Sequence, residues 1–378
     1  TAGGQYNVAV GNYAMDALTS GDNNTAVGHQ ALSANTTAIS NTAFGHTALA
    51  TTSTGGYNTA VGYEALNQNT TAASNTAIGV YALKANTTGT RNIAIGHAAY
   101  TASDTEVDNL AIGFQAMTVN TAGGTGNIGI GNYALDELTS GDFNTSIGLL
   151  SGNSMTEAVS SVLLGAGCGA NITTGDENIL IGRNVGSNNV NLITGKRNVI
   201  IGAYADVSAS DSDNQIVLGY DVSSNGNNSF VFGNGGTDSA IAFGATSISA
   251  PSDIRLKQNI NDDVAGLSFI NDLRPVTYEW RKEKDIPEEM RTHVAGSEER
   301  FNNDFVNHGF IAQEVKEVID NHPEIKDGFK MWLEDETDGR QRIAEGALVP
   351  MLVKSIQELS TKNDSLETSN TALIARIE

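Results

Sequence analysis

An asparagine recurs every 17 residues from Asn7 through Asn24, Asn41, Asn58, Asn75, Asn92 and Asn109, with nothing inserted or deleted between the seven. The beat then loosens. Asn127 comes one residue late, Asn144 is on time, Ser161 stands in for the asparagine, Asn178 restores it, and Asn198, Gln215 and Ser229 close the series. A fixed period of this kind means stacked copies of one supersecondary unit, none of which can bury its apolar face alone. A 17-residue copy is too short for a pair of helices and suits one coil of a parallel β-solenoid. Fourteen such coils, stacked at roughly 4.8 Å, make a rod on the order of 65 Å long.

Each copy reads Asn-x-Ala-aliphatic-Gly followed by Ala-Leu, as in Asn24-Thr25-Ala26-Val27-Gly28 with Ala31-Leu32, or Asn58-Thr59-Ala60-Val61-Gly62 with Ala65-Leu66. In a strand, Thr25 and Val27 share one face and Ala26 takes the other. Later copies, Ile179-Leu180-Ile181, Val199-Ile200-Ile201 and Phe230-Val231-Phe232, are apolar on both sides, so we expect both faces to be buried, one in the coil and one against a neighbour. The following glycine turns the chain where a Cβ would obstruct it, and the Asn, Thr, Ser and Gly stretches supply the turns.

Composition divides at the same place as the repeat. Residues 1–250 hold 17 acidic and 5 basic side chains, whereas 251–378 hold 26 and 16 in half the length. Few aromatics and abundant glycine suit thin coils with little interior. A net charge of −22 with no basic stripe argues against nucleic-acid or polyanion binding and favours solubility of a large assembly. The single Cys168 has no partner for an internal disulfide and reads as a small core residue. No stretch is long and apolar enough for a membrane-spanning helix. The chain opens on Thr1 with the repeat already under way at Asn7, from which we expect an upstream portion.

Past Gly244 the pattern becomes that of a small α+β domain over 251–345. Val264, Leu267, Ile270 and Leu273 fall at helical spacing ahead of Pro275, and Val276 to Trp280 reads as a strand. Arg281 to Arg300 reads as a solvated loop. Phe310 to Ala312 is expected as a second strand, Gln313 to Ile319 as a helix before Pro323, and Phe329–Leu333 with Arg342–Ala344 as a hairpin around Asp338-Gly339. Over 346–378, Leu352, Leu359, Leu366 and Leu373 are spaced by seven, with Ile356, Asn363, Asn370 and Ile377 four after each. That is a coiled-coil seam. Leu at d with Ile at a favours two strands, and buried Asn at a fixes register. Three-fold packing, however, closes a solenoid with two apolar faces per coil, and we expect three chains.

Four blocks in the C-terminal region resemble the intramolecular chaperone domain of phage endosialidases and tail fibres, also classified as the S74 peptidase family. They are Ser252-Asp253-Ile254-Arg255-Leu256-Lys257-Gln258-Asn259-Ile260, Leu273-Arg274-Pro275-Val276-Thr277-Tyr278-Glu279-Trp280, Gly309-Phe310-Ile311-Ala312-Gln313-Glu314-Val315, and Leu348-Val349-Pro350 leading into Ile356-Gln357-Glu358-Leu359. The repeats are more loosely similar to the β-rolls of trimeric adhesin heads, an analogy of architecture only. The chaperone resemblance implies a domain that gathers three chains, sets the register of the β-structured stalk and then cuts itself off. It further implies that Ser252 attacks the Pro251 carbonyl and that Lys257 takes the hydroxyl proton. A serine hydroxyl needs such a base, and a lysine acts as one only where burial or nearby cations lower its pKa. By spacing alone, Ser252 reads as a cap and Lys257 as a solvated charge. Pro251 departs from an unrestricted acyl residue, because its ring limits how the carbonyl is presented.

Other candidates are weaker. His29, His46 and His97 each follow a strand glycine and so align along one edge, without carboxylate partners for a metal. His308 beside Gly309-Phe310 reads as a structural hydrogen bonder. Asp104, Glu106 and Asp108 form a small acidic loop, read as solvated rather than as paired hydrolytic carboxylates. Asp253 and Arg255 read as a local ion pair. No cofactor and no metal is expected. The favoured function is a homotrimeric tail fibre or appendage of a bacteriophage virion that attaches to a host-surface receptor, a glycan among the candidates, with no membrane insertion. A bacterial surface adhesin and, behind it, a polysaccharide-degrading spike are the alternatives.

Overall fold

The computed structural model describes residues 3–119, 123–235, 237–245, 248, 252, 254–290, 292–325, 331–334 and 339–377. The chain divides into two compact units, Thr1–Asp253 and Ile254–Glu378. The first is a parallel β-solenoid. Among the described residues, fourteen strands from Val8–Val10 to Ser229–Asn234 join through thirteen parallel pairings, and Ser239–Ala242 adds antiparallel at the end. The first twelve strands are three residues long; the rest of each coil is turn. Pairing keeps repeat register: Thr25 lies opposite Thr42, Ala26 opposite Ala43, Val27 opposite Phe44.

The period-setting asparagine is a buried coil-to-coil clamp. Asn41 Oδ1 accepts the backbone N–H of Asn58 at 2.9 Å, while Asn41 Nδ2 donates to the Gly55 carbonyl at 2.9 Å. The arrangement repeats at Asn58, Asn75 and Asn92, and at Asn127, Asn144, Asn178 and Asn198. Where Ser161 replaces asparagine, its Oγ still accepts the Asn178 N–H, at 3.2 Å. A short amide side chain offers an acceptor and a donor at once, and here both reach the following coil, which is why this position beats so regularly. The strand glycine is equally constrained: Gly28 has φ +140°, and a Cβ there would lie 2.3 Å from the Gly45 carbonyl oxygen.

The interior conserves volume rather than residue identity. In early coils a small strand centre, Ala26 or Ala43, faces a large corner residue, Leu32 or Leu49. Later the sizes trade places. Leu163 and Leu180 occupy the strand centre, and the corner residues Gly169 and Gly186 leave them room: a Cβ on Gly169 would come 3.0 Å from Leu163 Cδ2, and one on Gly186 would come 2.9 Å from Leu180 Cδ2. Close packing tolerates such exchanges when total volume is kept.

Only one strand face is buried by the chain itself. Ala26, Ala43 and Ala60 are inaccessible, but the residues on either side of them are half-buried or exposed, and Phe44 is 57% exposed. The expectation of two buried faces is therefore corrected for a single chain. Three-residue strands present the first and third side chains outward, and no second layer of the described residues buries them.

The second unit packs three helices around Phe269, Val315, Ile319, Met331 and Leu348. Helix α1 spans Leu267–Asp272, shorter than the pattern from Val264 suggests, because the Asp263 carboxylate takes the Ala265 N–H and holds Val264 in the preceding turn. Strand Val276–Tyr278 pairs antiparallel with Asn307–Gly309. The second strand thus precedes the expected Phe310–Ala312, since α2, Ala312–Asn321, already begins there. A hairpin pairs Trp332–Glu334 with Gln341–Ile343; Phe329 and Asp338 lie outside the described residues. Helix α3 runs from Val349 to Ile377. The Arg281–Arg300 segment is more ordered than a solvated loop: Lys282 bridges to Arg300, and Lys282 and Lys284 both reach Glu298, holding its carboxyl down at about 2.

Candidate functional site

The C-terminal sequence blocks meet through specific polar contacts. Arg274, from the second block, forks onto Glu314 of the third, with Nε 2.9 Å from Oε2, which ties the segment after α1 to the first turn of α2. This contact raises the Arg274 pKa and lowers that of Glu314. Glu358, from the fourth block, accepts the Leu267 N–H at 2.9 Å and so caps α1 from α3. The cap needs a glycine before it, because a Cβ on Gly266 would lie 2.5 Å from Glu358 Oε1. His322, largely buried after α2, bridges Glu324 at 2.7 Å and Asp272 at 2.9 Å and stands edge-on to Phe269. Glu324 and then Asp272 raise its pKa by favouring the imidazolium. None of these clips was identified as a site from sequence.

Ser252 is exposed and belongs to the first unit; Lys257 is exposed and belongs to the second. Pro251 and Asp253 lie outside the described residues, so the bond proposed for cleavage and the Asp253–Arg255 pair do too. Lys257 closes the short 3-10 turn Ile254–Leu256 by donating its backbone N–H to the Ile254 carbonyl at 3.1 Å. General-base chemistry requires a neutral lysine, which burial or cationic neighbours supply.

The described residues offer two long apolar surfaces. One is the outward row of the solenoid, which includes Val10, Phe44, Ile78, Ile147 and Ile201, all exposed. The other is the α3 seam. Met351 and Ser355 turn into the second unit's core, whereas Leu352, Ile356, Leu359, Leu366, Leu373 and Ile377 are exposed, Ile377 at 83%. Asn363 and Asn370 share that exposure, and Asn363 Nδ2 reaches Glu367 at 3.2 Å.

The histidines that follow strand glycines do align. His29 stacks on His46 with centroids 5.1 Å apart and planes 13° from parallel, and His46 stacks on Tyr63 at 5.2 Å. His97 stacks on Phe114 at 5.3 Å. Sequence reasoning noted the histidines and missed the other rings continuing the row: Tyr63 and Phe114 share the position one after the coil glycine, but Tyr13, Tyr81 and Tyr133 lie two after it, which hides them from a single-register reading. His308 is exposed on a strand, its backbone opposite Thr277.

In the acidic loop Asp104 and Asp108 are exposed as expected, and Glu106 is not. Glu106 is buried, and its carboxylate accepts the N–H groups of Asp104, Thr105 and Gly123 and the Ser103 hydroxyl. Ser103 stands where Asn69 and Asn86 stand in other coils, and its hydroxyl donates to the glutamate carboxylate. Asp108 pairs with Arg91 at 2.5 Å, so these acids form no facing hydrolytic pair. Cys168 is buried, and desolvation pushes its thiol up to about 12, which keeps it inert. Among the described residues no cluster of three or more His, Cys, Asp and Glu is arranged to hold a metal, and no helix is long and apolar enough to cross a membrane.

Residues 252–322 match the Peptidase S74 family, described as chaperone of endosialidase. The matched segment begins at Ser252, takes in the Arg274–Glu314 clip and ends at His322. No curated protein and no solved structure matches the chain.

Proposed function

We propose that this chain is a homotrimeric tail-fibre or appendage protein of a bacteriophage virion, whose C-terminal domain is an intramolecular chaperone that drives trimer assembly and then detaches at Pro251-Ser252. One observation carries the reading: an outward apolar row along the solenoid and an exposed Leu/Ile seam on α3 occur in one chain with a chaperone-family segment between them. Exposed apolar surface of this extent is the mark of an interaction site. Three copies of α3 bury their seams in a coiled coil, with Asn363 and Asn370 setting register, and three outward rows close on one another. The stacked coils form slowly because every pairing is non-local, and a terminal trimer that forms first supplies high local concentration. Removing it leaves a shaft that unfolds only over a high barrier.

In the cleavage step Ser252 Oγ attacks the Pro251 carbonyl carbon and its proton passes to Lys257 Nζ. The C–N bond breaks, the Ser252 amine takes up a proton, and water then hydrolyses the resulting ester to give a Pro251 carboxylate and a free Ser252 hydroxyl. Assembly supplies the burial that makes Lys257 a base, so the cut follows completion of the trimer. The test is Ser252→Ala beside wild type on a denaturing gel. A fragment break near residue 251 in wild type alone supports self-processing; identical full-length bands overturn it.

A further inference from the structure

Eight aromatic and imidazole rings run unbroken over the first half of the solenoid through seven consecutive ring–ring contacts, with centroids 5.1–6.1 Å apart, from Tyr13 to Tyr133. We propose that this ring row is a binding surface for a neutral, unbranched saccharide chain, centred on His46, Tyr63, Glu64, Tyr81 and Lys84. The proposal rests on the host-attachment reading and gives it a site.

Three observations carry it. First, the row is regional. The inner alanines, the asparagine clamp and the strand glycine recur because every coil needs them. The ring positions, in contrast, pass to Leu149, Ala166 and Arg183 in the next three coils, which fold in the same way. Rings return at these positions only in the separate pair Tyr204 and Tyr220, so the three ring-free coils between show that the coil itself does not require one. Second, the rings come from two positions: Tyr13, Tyr81 and Tyr133 lie two residues after their coil glycine, and His29, His46, Tyr63, His97 and Phe114 lie one after, so each of eight consecutive coils supplies one ring to the row from either position.

Third, the chemistry at the centre fits a polyhydroxylated, uncharged ligand. Glu64 lies 2.7 Å from Lys84 Nζ, which itself sits 4.7 Å over the Tyr81 ring, and Tyr63 stands at 83° to Tyr81, so ring face and ring edge are both presented. The carboxylate and the ammonium cancel, which removes any attraction for a charged ligand, yet both keep hydrogen-bonding capacity for hydroxyl groups beside the apolar faces. Tyr63 and His46 are exposed along the row, which suits an extended chain rather than an enclosed small molecule. Weak contact at each row is multiplied in an assembly that presents several rows at once.

Saturation-transfer NMR on the intact protein, with maltohexaose and cellohexaose as probes at millimolar concentration, tests this. The expected result is transfer to the sugar ring protons of at least one probe, reduced about fivefold or more in Tyr63→Ala and in His46→Ala. Phe143→Ala, which removes an exposed aromatic outside the row, leaves the signal unchanged. Each variant is also weighed under native conditions. Absence of transfer from both probes in wild type, or equal signals in the Tyr63 and Phe143 variants, overturns the proposal. Loss of the wild-type mass in Tyr63→Ala and His46→Ala assigns the rings to chain–chain contact and overturns it too. An unchanged mass beside a failed sugar test leaves the assembly reading standing and removes only the site.

Discussion

Asn75 donates to the Gly89 carbonyl at 2.8 Å and accepts the Asn92 N–H at 2.8 Å, all within the buried part of the coil. Asn75→Ala strands both partners away from water, and each buried unsatisfied group costs about 1–3 kcal/mol, so we predict a loss of about 2–4 kcal/mol in denaturant melts followed by circular dichroism. Asn75→Ser loses about half as much, since Ser161 shows that a hydroxyl keeps the acceptor. Core volume gives a second prediction. Leu163→Ala opens a cavity against Gly152 and Gly169 and costs about 2–5 kcal/mol. Adding Gly169→Leu restores the early-coil arrangement, and the pair is more stable than Leu163→Ala alone. The left-handed backbone at Gly169, φ 57°, is close to that of Leu32, φ 51°, so leucine is tolerated there. The asparagine was legible because one side chain ties its coil to the next at a fixed spacing. Glu106 was not, because nothing in the alternating acids Asp104, Glu106 and Asp108 marks which one turns inward.

Among the elements, the second unit is held by clips between segments far apart in sequence. Glu358 caps α1 from 91 residues away, which no local pattern discloses. Periodicity found the helices and strands but misplaced their ends by a few residues, as at Val264 and Phe310, where an Asp263 turn and the start of α2 decide. Alternation along the strands likewise showed two faces without showing which one the chain covers. His322 makes this unit pH-sensitive. Its folded pKa is raised by Glu324 and Asp272, so its stabilisation is complete below the unfolded value, about 6.5, and is lost as pH rises through the folded one. Both tryptophans, Trp280 and Trp332, lie in this unit, so tryptophan fluorescence of the whole chain reports its unfolding. We predict a lower unfolding midpoint at about pH 8.5 than at about pH 6, with the difference reduced in His322→Gln. An equal difference in the variant would remove His322 as its cause.

For the molecule as a whole, the exposed seam and the outward row are the surfaces on which the proposed assembly depends. Ile356→Asp places a charge in the seam without touching the buried Met351 and Ser355, and is predicted to abolish assembly while α3 keeps its contacts with the second unit. Phe44→Asp acts on the solenoid and is predicted to weaken assembly without unfolding the coil, because the side chain points outward. Both outcomes are read from mass and circular dichroism together. The most direct test is sedimentation equilibrium of the Ser252→Ala chain, which keeps its full length. The account predicts about 118 kDa, three times the 39.5 kDa of one chain, with no dissociation on dilution. A folded, stable species of 39.5 kDa across the same concentrations would contradict it.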